Sequence, residues 1–451
     1  MKIVIIGCGK IGKTIIKSLA QEGHDITALD TNEEVLKRLA GTYDILTLQE
    51  KGISVESQIQ AGVGDADLLI AATSSDEKNI LCCMTAKKLG AKQTIARVRD
   101  PEYADYLTLL KDELSLSYTV NPDYALGDEI AKLLKYPSAI SVDTFADGKL
   151  ELAETRVNDL SLMKGLTLRE TAQKMQTPFL ICAVERDGEL IIPKGDFVFK
   201  AGDVLSVADY KDMLDEFFKE VGVYKTKPKK IMIVGGGPVT YRLVGKLKRV
   251  GVQIKVIEID KEKAEEMQRK IDYVSVIHGD ARSETLLNEE GIDDTDAFIA
   301  LTGADDTNSI LSLYAKQKGV KKVITKINHK LVGGMFEQIG LDSIVSTENV
   351  TANNVVKIVR GMTSKKGEEV ISLYKMFNGQ GEAAEFKIPV GSKFSGKQIK
   401  DLPIKKDALI VSVLHDGELI LASGGTELFE GDSVVVIGKH LYFDTLDDII
   451  E

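Results

Sequence analysis

Short apolar runs alternate with amphipathic stretches along the first third of the chain. KIVIIG, HDITALD, DILTL, ADLLIAAT, TIARV and YTV have the length of strands, and the segments between them carry apolar residues at helical spacing. This βα alternation predicts a parallel sheet covered by helices. From about residue 139 to 222 the pattern changes, because FADGKLEL and VERDGELI each place Asp-Gly, the favoured hairpin turn, between strand-forming residues. That part predicts a small domain rich in antiparallel hairpins.

The whole pattern occurs twice. KIVIIGCGKIG at residue 2 is matched by KIMIVGGGPVT at residue 230, and DADLLIAATSSDEKN, VERDGELI and KAGD have counterparts at nearly the same offset, about 228 residues. The fold class predicted is therefore α/β with two tandem units, each a Rossmann-like parallel-sheet domain plus a small α+β, hairpin-rich C-terminal domain. We expect domain bounds of 1–122, 139–223, 229–348 and 366–451.

Helices are expected to connect the two parts of each unit. DYALGDEIAKLLKY (123–136) and VTANNVVKIVRGM (350–362) have the composition and apolar spacing of such helices. KTKPKK (225–230) joins the units and reads as an exposed linker, although its basic character leaves contact with lipid headgroups open.

Charge and composition exclude several classes of protein. The 451 residues carry a formal charge of −11, which argues against a broad nucleic-acid-binding surface. No apolar run approaches the roughly 18 residues that suggest a bilayer span, and the start of the chain shows no signal-peptide pattern, so we expect a soluble, cytoplasmic chain. The four cysteines form no CxxC pair and are expected to be small buried residues rather than zinc ligands or disulfides.

The first glycine motif has the context that a dinucleotide site requires. GCGKIG follows a predicted strand and opens a predicted helix; its residues are Gly7, Cys8, Gly9, Lys10, Ile11 and Gly12. Gly7 permits a tight turn, Gly9 lets the backbone approach a pyrophosphate, and Gly12 allows close packing of helix on strand. Asp30, at the end of the second strand, is placed to bind ribose hydroxyls and would repel a 2′-phosphate. NAD(H) or an adenosine nucleotide is therefore favoured over NADP, and the alternative is an inherited fold with an empty site.

The second motif, GGGPVT, departs from the pattern. It keeps Gly235, Gly236 and Gly237, and Glu258 supplies the acidic residue. Thr240 replaces the third glycine of the motif, and Pro238 removes one N–H donor from the first helical turn. We expect this site to bind more weakly or to take a different ligand.

Three further residues could line the first pocket. Thr73 and Ser74 follow the fourth strand at its carboxyl end, the edge where ligands bind in open α/β sheets, and Arg97 in the fifth strand could reach a phosphate. An ordinary polar loop and a surface ion pair are the competing interpretations. Thr302 with Gly303, and Lys326, hold the corresponding places in the second unit.

The residues needed for redox catalysis are not evident. A dehydrogenase needs a group that moves a proton near the nicotinamide, yet the five histidines (His24, His278, His329, His415 and His440) are scattered and none has a histidine at its counterpart position. No nucleophile elbow, metal cluster, Walker sequence or kinase motif is present. The sequence thus indicates that the dinucleotide is a regulator and that the chain is not an enzyme.

At this point the chain resembles a known family. GCGKIG with Asp30, DADLLIAATSSDEKN, IARVRDPEYA and the following hairpin domain are similar to the RCK module, also called KTN, which gates potassium channels and transporters. The resemblance covers essentially the whole chain as two modules in tandem. It implies a regulatory subunit that binds NAD or NADH, with ATP or ADP as further ligands, and that controls a membrane-embedded potassium channel or transporter subunit. It also implies a homo-oligomeric ring, taken as a tetramer, placed in the cytoplasm at the inner face of the membrane.

The resemblance also implies the ligand contacts. They would be the first glycine loop, Asp30, Thr73, Ser74 and Arg97 in the first unit, and Gly235 to Gly237, Glu258, Gly279 and Asp280 in the second. The first unit has Lys51 and Gly52 where we expect the counterparts of that last pair, which leaves its adenine-side contacts open. A subunit of a potassium efflux or antiport system and an NAD-dependent oxidoreductase remain as alternatives, and the activating nucleotide and any divalent cation site are left open.

Overall fold

The computed structural model describes most of the chain. The residues described are 1–100, 103, 116–159, 161–248, 251–328, 341, 343–363, 370–439, 443 and 445–451. They form two compact units that do not follow the order of the repeats. The α/β unit comprises residues 1–130, 232–318 and 324–358, and the antiparallel unit comprises 131–231, 319–323 and 359–451. Like domains of the two repeats therefore share a unit.

A six-stranded sheet forms the first domain of the α/β unit. Its strands are β1 (Lys2–Ile6), β2 (Asp25–Asp30), β3 (Leu46–Gln49), β4 (Leu68–Ala71), β5 (Gln93–Arg97) and β6 (Tyr118–Val120). Its helices are α1 (Lys10–Gln21), α2 (Glu33–Ala40), α3 (Val55–Gln60) and α4 (Asp76–Leu89). The strand order is β3-β2-β1-β4-β5-β6, with every neighbour parallel. The order reverses between β1 and β4, which is where ligands bind in open sheets of this kind.

Burial explains why these segments form strands and helices. Residues 3–6 of β1 and all four residues of β4 are buried, as expected of central parallel strands covered on both faces. Helix α1 turns Ile15, Ile16 and Leu19 toward the sheet. The connecting helix α5 (Pro122–Lys135) follows β6, close to the predicted range.

The second repeat builds the same domain again. The antiparallel domain between the two α/β domains contains α6 (Leu168–Lys174) and α7 (Leu214–Glu220). The helices of the second α/β domain are α8 (Pro238–Leu247), α9 (Lys261–Lys270), α10 (Glu284–Glu289) and α11 (Asp305–Gln317), and the connecting helix α12 (Thr347–Thr363) follows them. Its strands are β12 (Lys230–Val234), β13 (Gln253–Glu258), β14 (Ser275–His278), β15 (Ala297–Ala300), β16 (Lys322–Lys326) and β17 (Ser343–Val345). The order β14-β13-β12-β15-β16-β17 reproduces that of the first sheet.

Two five-stranded antiparallel sheets form the other unit. The first contains β7 (Ser141–Phe145), β8 (Leu150–Arg156), β9 (Leu180–Arg186), β10 (Glu189–Ile191) and β11 (Val204–Tyr210) in the order β10-β9-β11-β8-β7. The second contains β18 (Val370–Met376), β19 (Gly381–Lys387), β21 (Ala408–His415), β22 (Glu418–Leu421) and β24 (Ser433–Lys439) in the order β18-β19-β24-β21-β22, with β20 (Lys397–Gln398) and β23 (Glu427–Leu428) paired beside it. Short 3-10 helices lie at Val63–Asp65, Ile292–Asp294, Phe377–Gly379, Ile399–Asp401 and Leu446–Ile449.

Two of the predicted Asp-Gly pairs form two-residue hairpin turns, whereas Asp147 with Gly148 lies in a four-residue connection (146–149) between β7 and β8. Asp187 with Gly188 connects β9 to β10, and Asp416 with Gly417 connects β21 to β22. All four residues have φ between 47° and 81°, the region that a type I′ turn requires at both central positions. The fold class predicted from the sequence is confirmed.

The two antiparallel sheets share one hydrophobic core and exchange reciprocal hydrogen bonds. A single cluster of buried residues includes Phe145, Leu152 and Cys182 from the first repeat and Val411 and Ile437 from the second. The backbone N–H of Phe377 donates to Glu154 and that of Ala146 donates to Glu385, both at 3.0 Å. Ala146 and Phe377 hold corresponding places, and both have φ near +50°. Each buried carboxylate therefore stabilises a left-handed turn of the other repeat.

The linker between the repeats lies against the first antiparallel domain. The N–H of Lys225 donates to Ser138 Oγ at 2.8 Å, and the Lys227 ammonium lies 2.8 Å from Asp215 Oδ2. Pro228 is buried, whereas Lys225 and Lys227 are exposed. The linker is thus largely exposed, as predicted, but it is held against the first antiparallel domain by these contacts.

All four cysteines are buried and reduced, as predicted. Burial raises the pKa of the Cys8 thiol to about 12, so it stays neutral at physiological pH. Within the described residues, no helix combines the length and the apolar character needed to cross a bilayer.

Candidate functional site

The first glycine loop has the geometry that its spacing predicts. Gly7 directly follows β1 and has φ +92°, and a Cβ there would lie 2.7 Å from the backbone nitrogen of Thr73. A Cβ on Gly12 would lie 2.0 Å from the carbonyl oxygen of Gly7, so α1 packs directly on the loop. Gly9 precedes α1 without a side-chain cap, and no atom lies within 4 Å of the place its Cβ would take. The loop therefore leaves an open cradle at the N-terminus of α1, the place where an anion binds to helix N–H groups.

Asp30 reaches back to this loop. Its Oδ2 accepts a hydrogen bond from the N–H of Cys8 at 2.6 Å, and its Oδ1 accepts one from the N–H of Asn32 at 2.9 Å. Because an ionised carboxylate offers about four acceptor positions, Asp30 can still accept from ribose hydroxyls. Lys10 lies exposed beside the cradle, Cys8 is buried below it, and Ile11 is partly buried.

The second loop repeats this arrangement. Gly235 has φ +105°, the N–H of Gly236 donates to Glu258 Oε2 at 2.5 Å, and Glu258 Oε1 accepts from the N–H of Asp260 at 2.9 Å. No atom lies within 4 Å of the place that a Cβ on Gly237 would take, so this cradle is open as well. The hydroxyl of Thr240 donates to the carbonyl of Gly235 at 2.5 Å. Threonine is accommodated at the helix-to-strand contact because its hydroxyl uses a loop acceptor.

Thr73 and Arg97 adjoin the first loop, but Arg97 binds protein. Its Nη1 donates to the carbonyl of Thr73 at 2.7 Å, while its buried Nε has no hydrogen-bond partner among the described residues. Ser74 is exposed at the same strand end. In the second domain the Lys326 ammonium lies 3.3 Å from the carbonyl of Leu301, and burial lowers the pKa of Lys326.

Sequence analysis did not assign a role to two buried asparagines that hold these loops. Asn79 Oδ1 accepts from the N–H of Thr73 at 2.8 Å and from its hydroxyl at 2.7 Å, and Nδ2 donates to the carbonyl of Arg97 at 2.9 Å. Asn308 makes the same bonds to Thr302 and Lys326. Both asparagines are fully buried. The sequence does hint at their role, because an asparagine ends both of the repeated segments DADLLIAATSSDEKN and DTDAFIALTGADDTN.

A cavity of about 1170 Å³ opens over the second glycine loop. Among its lining residues are the three loop glycines, Pro238, Glu258, Gly279, Asp280, Thr302 and Gly303. Tyr124, on the connecting helix α5 of the first repeat, lines it as well, and so do Arg242 and Lys246 on α8. The contribution of Tyr124 was not predicted, since it depends on the packing of the two α/β domains within their unit.

Gly279 and Asp280 require a correction of the repeat alignment. The sheet register pairs Asp30 with Gln49 and Glu258 with His278, so Glu50 corresponds to Gly279 and Lys51 to Asp280. The sequence comparison, which matched Gly279 with Lys51 and Asp280 with Gly52, was off by one residue because the offset changes from 228 to 229 between these strands. The first domain still lacks a Gly-Asp pair here.

Asp280 is held by a neighbouring cation. Its carboxylate lies 2.7 Å from Arg282 Nη2, and this interaction keeps its pKa below the usual range. Asp280 is thus ionised at the edge of the cavity.

In the part of the chain that the structure describes, metal ligands do not cluster at these loops. The described residues include no group of three histidine, cysteine, aspartate or glutamate side chains placed to hold a metal ion. His329 and His440 lie outside the described residues, and His415 pairs with Asp432 in the antiparallel unit.

Comparison with known proteins gives the family. The TrkA-N domain model matches residues 3–121 and 231–347, and the TrkA-C domain model matches 152–222 and 383–450. "Trk system potassium uptake protein TrkA homolog 1" of Methanosarcina mazei is 32% identical over 97% of each chain, and "Trk system potassium uptake protein TrkA" of Halomonas elongata is 31% identical over 97% of this chain and 95% of that one.

A solved structure has the same fold. "GsuK channel bound to NAD" matches with a TM-score of 0.62 at 22% identity, covering 97% of this chain and 77% of that one. Neither of the two TrkA relatives is named as an enzyme, in agreement with the prediction that the chain is not one. The chain belongs to the TrkA family, with its TrkA-N and TrkA-C domains present twice.

Proposed function

We propose that this chain is a cytosolic nucleotide-sensing regulatory subunit that binds NAD or NADH, with ATP or ADP as further ligands, and gates a Trk-type membrane potassium uptake subunit. The observation that carries the proposal is the open cradle at each glycine loop. In both, a helix N-terminus without a side-chain cap lies beside an acidic residue at the end of the next strand. This combination suits a phosphate bridge joined to a ribose.

The residues present fit a nucleotide. In the first site the pyrophosphate would lie against the backbone around Gly9, where the absent side chain leaves room. Asp30 would accept the ribose hydroxyls while keeping its bond to Cys8, and its charge would exclude a 2′-phosphate. Thr73, Ser74 and Arg97 would border the ligand on the side of β4 and β5, and Gly279 with Asp280 would border the adenine side of the second site.

The names of the relatives support the partner proposed here. These relatives are named as potassium uptake proteins of the Trk system, and the structure of similar fold is named a channel. A membrane-embedded potassium channel or transporter subunit is therefore the partner proposed here, with this chain forming a homo-oligomer, proposed as a tetramer, at the inner face of the membrane. The domain bounds 1–122, 139–223, 229–348 and 366–451 belong to the same proposal.

Gating places a thermodynamic condition on the ligands. A ligand shifts the pore only by the difference between its affinities for the two shapes of the regulatory assembly. NADH, NAD and ATP must therefore favour different shapes if the cell's nucleotide state is to control potassium uptake.

Calorimetric titration with NADH, NAD, ATP and ADP tests the binding proposal. Gly9→Val and Gly237→Val each place a side chain in an open cradle, so each should remove one site and leave the fold intact, and long incubation should leave the NADH absorbance unchanged. Arg156→Gln, outside both loops, is the control and should bind like the parent chain. Absence of nucleotide binding, unaltered binding in both valine variants, or steady consumption of NADH would contradict the proposal.

A further inference from the structure

A bridge of charged residues connects the second cavity to the first repeat. On α8, the Arg242 guanidinium makes two bonds to Asp128 of the connecting helix α5, Nε to Oδ1 and Nη2 to Oδ2, both at 2.8 Å. The guanidinium also stacks on Tyr124, with its central carbon 4.6 Å from the ring centre. Arg242 and Tyr124 both line the cavity. A side chain of the cavity wall is therefore held by two residues of the other repeat.

Gly127 of α5 leaves the space that this bridge needs. A Cβ on Gly127 would lie 2.7 Å from Arg242 Cγ and 2.9 Å from its Cβ, so only glycine lets the arginine pass at this distance. The corresponding contact in the first domain is different. At the corresponding place in the first domain, Thr14 replaces Arg242 and makes a longer contact, 3.5 Å, with Glu348 of α12.

The balance of charges indicates what this wall can bind. Three other cations of the cavity each have a carboxylate of their own: Arg282 with Asp280, Lys270 with Glu266, and Lys263 with Asp260. Arg242 and Lys246 instead share Asp128, since Lys246 Nζ lies 3.4 Å from Asp128 Oδ1. These two cations thus have a single carboxylate between them in these ion pairs, unlike the three pairs above.

The position of these cations on the helix indicates which part of a ligand they meet. Arg242 and Lys246 are four residues apart, so they lie on the same face of α8, and Arg242 lies about 6 Å along the axis from Pro238, the first helical residue. A nucleotide whose phosphates begin at the glycine loop would extend a further phosphate toward this face. NADH has no terminal phosphate, because both of its phosphates are esterified.

We propose that Arg242 and Lys246 bind the terminal phosphate of a nucleoside polyphosphate in this cavity, in competition with Asp128. A guanidinium binds phosphate and carboxylate with the same bidentate geometry, so one anion can replace the other. Binding of a triphosphate loosens the hold of α8 on the connecting helix of the first repeat, whereas NADH leaves it in place. The two ligand classes thus leave α5 in different states. This inference rests on the proposed nucleotide binding at the second loop.

The test measures ATP and NADH affinities by calorimetry in a Gly9→Val background, which leaves the second site alone. Asp128→Asn removes the competing carboxylate and should tighten ATP binding about tenfold, equal to about 1.4 kcal/mol, while NADH affinity changes less than about threefold. Arg242→Gln should weaken ATP binding by a similar factor and leave NADH nearly unaffected. The expected gain of affinity in Asp128→Asn cannot arise from misfolding.

Glu290→Gln is the matched control, because it removes a carboxylate that pairs with Lys255 in the same domain but does not line the cavity. It should leave both affinities unchanged. Unchanged ATP affinity in Asp128→Asn, or equal changes for ATP and NADH, would overturn the inference while leaving nucleotide binding established. Absence of any nucleotide binding in the Gly9→Val background would overturn both the inference and the proposed role of the second loop.

Discussion

Gly12→Ala provides a direct test of the packing described for the first loop. Alanine is normally the better helix residue, and inside a helix it stabilises by roughly 0.5–1 kcal/mol relative to glycine. Here the added Cβ would lie 2.0 Å from the carbonyl oxygen of Gly7, whereas ordinary carbon-to-oxygen contacts begin at about 3.3 Å. Helix α1 would therefore have to move by more than 1 Å, as judged from the about 1.3 Å shortfall in that contact.

Such overpacking costs about 1–3 kcal/mol. For a cooperative unit of this size, each 1 kcal/mol lowers the midpoint of thermal unfolding by about 2–4 °C, so we expect a decrease of about 2–12 °C without ligand. The control is Gly9→Ala, whose Cβ meets no atom within 4 Å and should leave the midpoint unchanged or slightly raised. A Gly12→Ala chain that unfolds at or above the temperature of Gly9→Ala would show that the close contact between α1 and Gly7 does not limit stability.

Two further predictions concern ion pairs of the antiparallel unit. Arg360 and Glu382 are buried and form a bidentate ion pair. Arg360→Met leaves the Glu382 carboxylate buried without its partner, so it should lower the free energy of unfolding in urea by about 3–5 kcal/mol, and the double variant with Glu382→Leu should recover most of that loss. Equal stability of the single and double variants would contradict this prediction. His415 Nδ1 lies 2.6 Å from Asp432, and this hydrogen bond, aided by the charges of Asp432, Asp416 and Glu418, raises the pKa of His415. The pair's stabilisation is therefore full below the ordinary histidine pKa of about 6.5 and is lost as the pH rises through the raised value. In thermal unfolding between pH 5 and 9, His415→Arg, which copies the pair of Arg186 in the first repeat, should remove that pH dependence, and an unchanged profile would count against it.

Local patterns predicted much of the fold. The apolar runs gave both six-stranded sheets, and Asp187-Gly188 and Asp416-Gly417 gave two of the hairpins, because turns and strand alternation depend on neighbouring residues. The nearly constant repeat offset predicted that the two halves of the chain have the same fold. It also produced the one-residue error at Gly279, since a constant offset cannot follow a change in loop length.

Contacts between the repeats could not be predicted from these patterns. The sequence does not indicate that Glu385 binds the N–H of Ala146, or that Tyr124 lines a cavity of the other repeat, because such contacts depend on how separately built domains pack. The sequence pattern assigned Asp30 to the ribose and did not indicate that Asp30 also accepts a hydrogen bond from the N–H of Cys8. A side chain that serves the loop and the ligand together gives the same sequence signal as one that serves the ligand alone.

The most direct test of the account is potassium uptake by cells whose only copy of this subunit is the parent chain or the Gly9→Val, Gly237→Val double variant. Uptake would be followed while the ratios of NADH to NAD and of ATP to ADP are changed. Uptake should follow these ratios with the parent chain and become independent of them with the double variant present at equal amounts. Uptake that follows the ratios equally in both would contradict the claim that these loops sense the nucleotides.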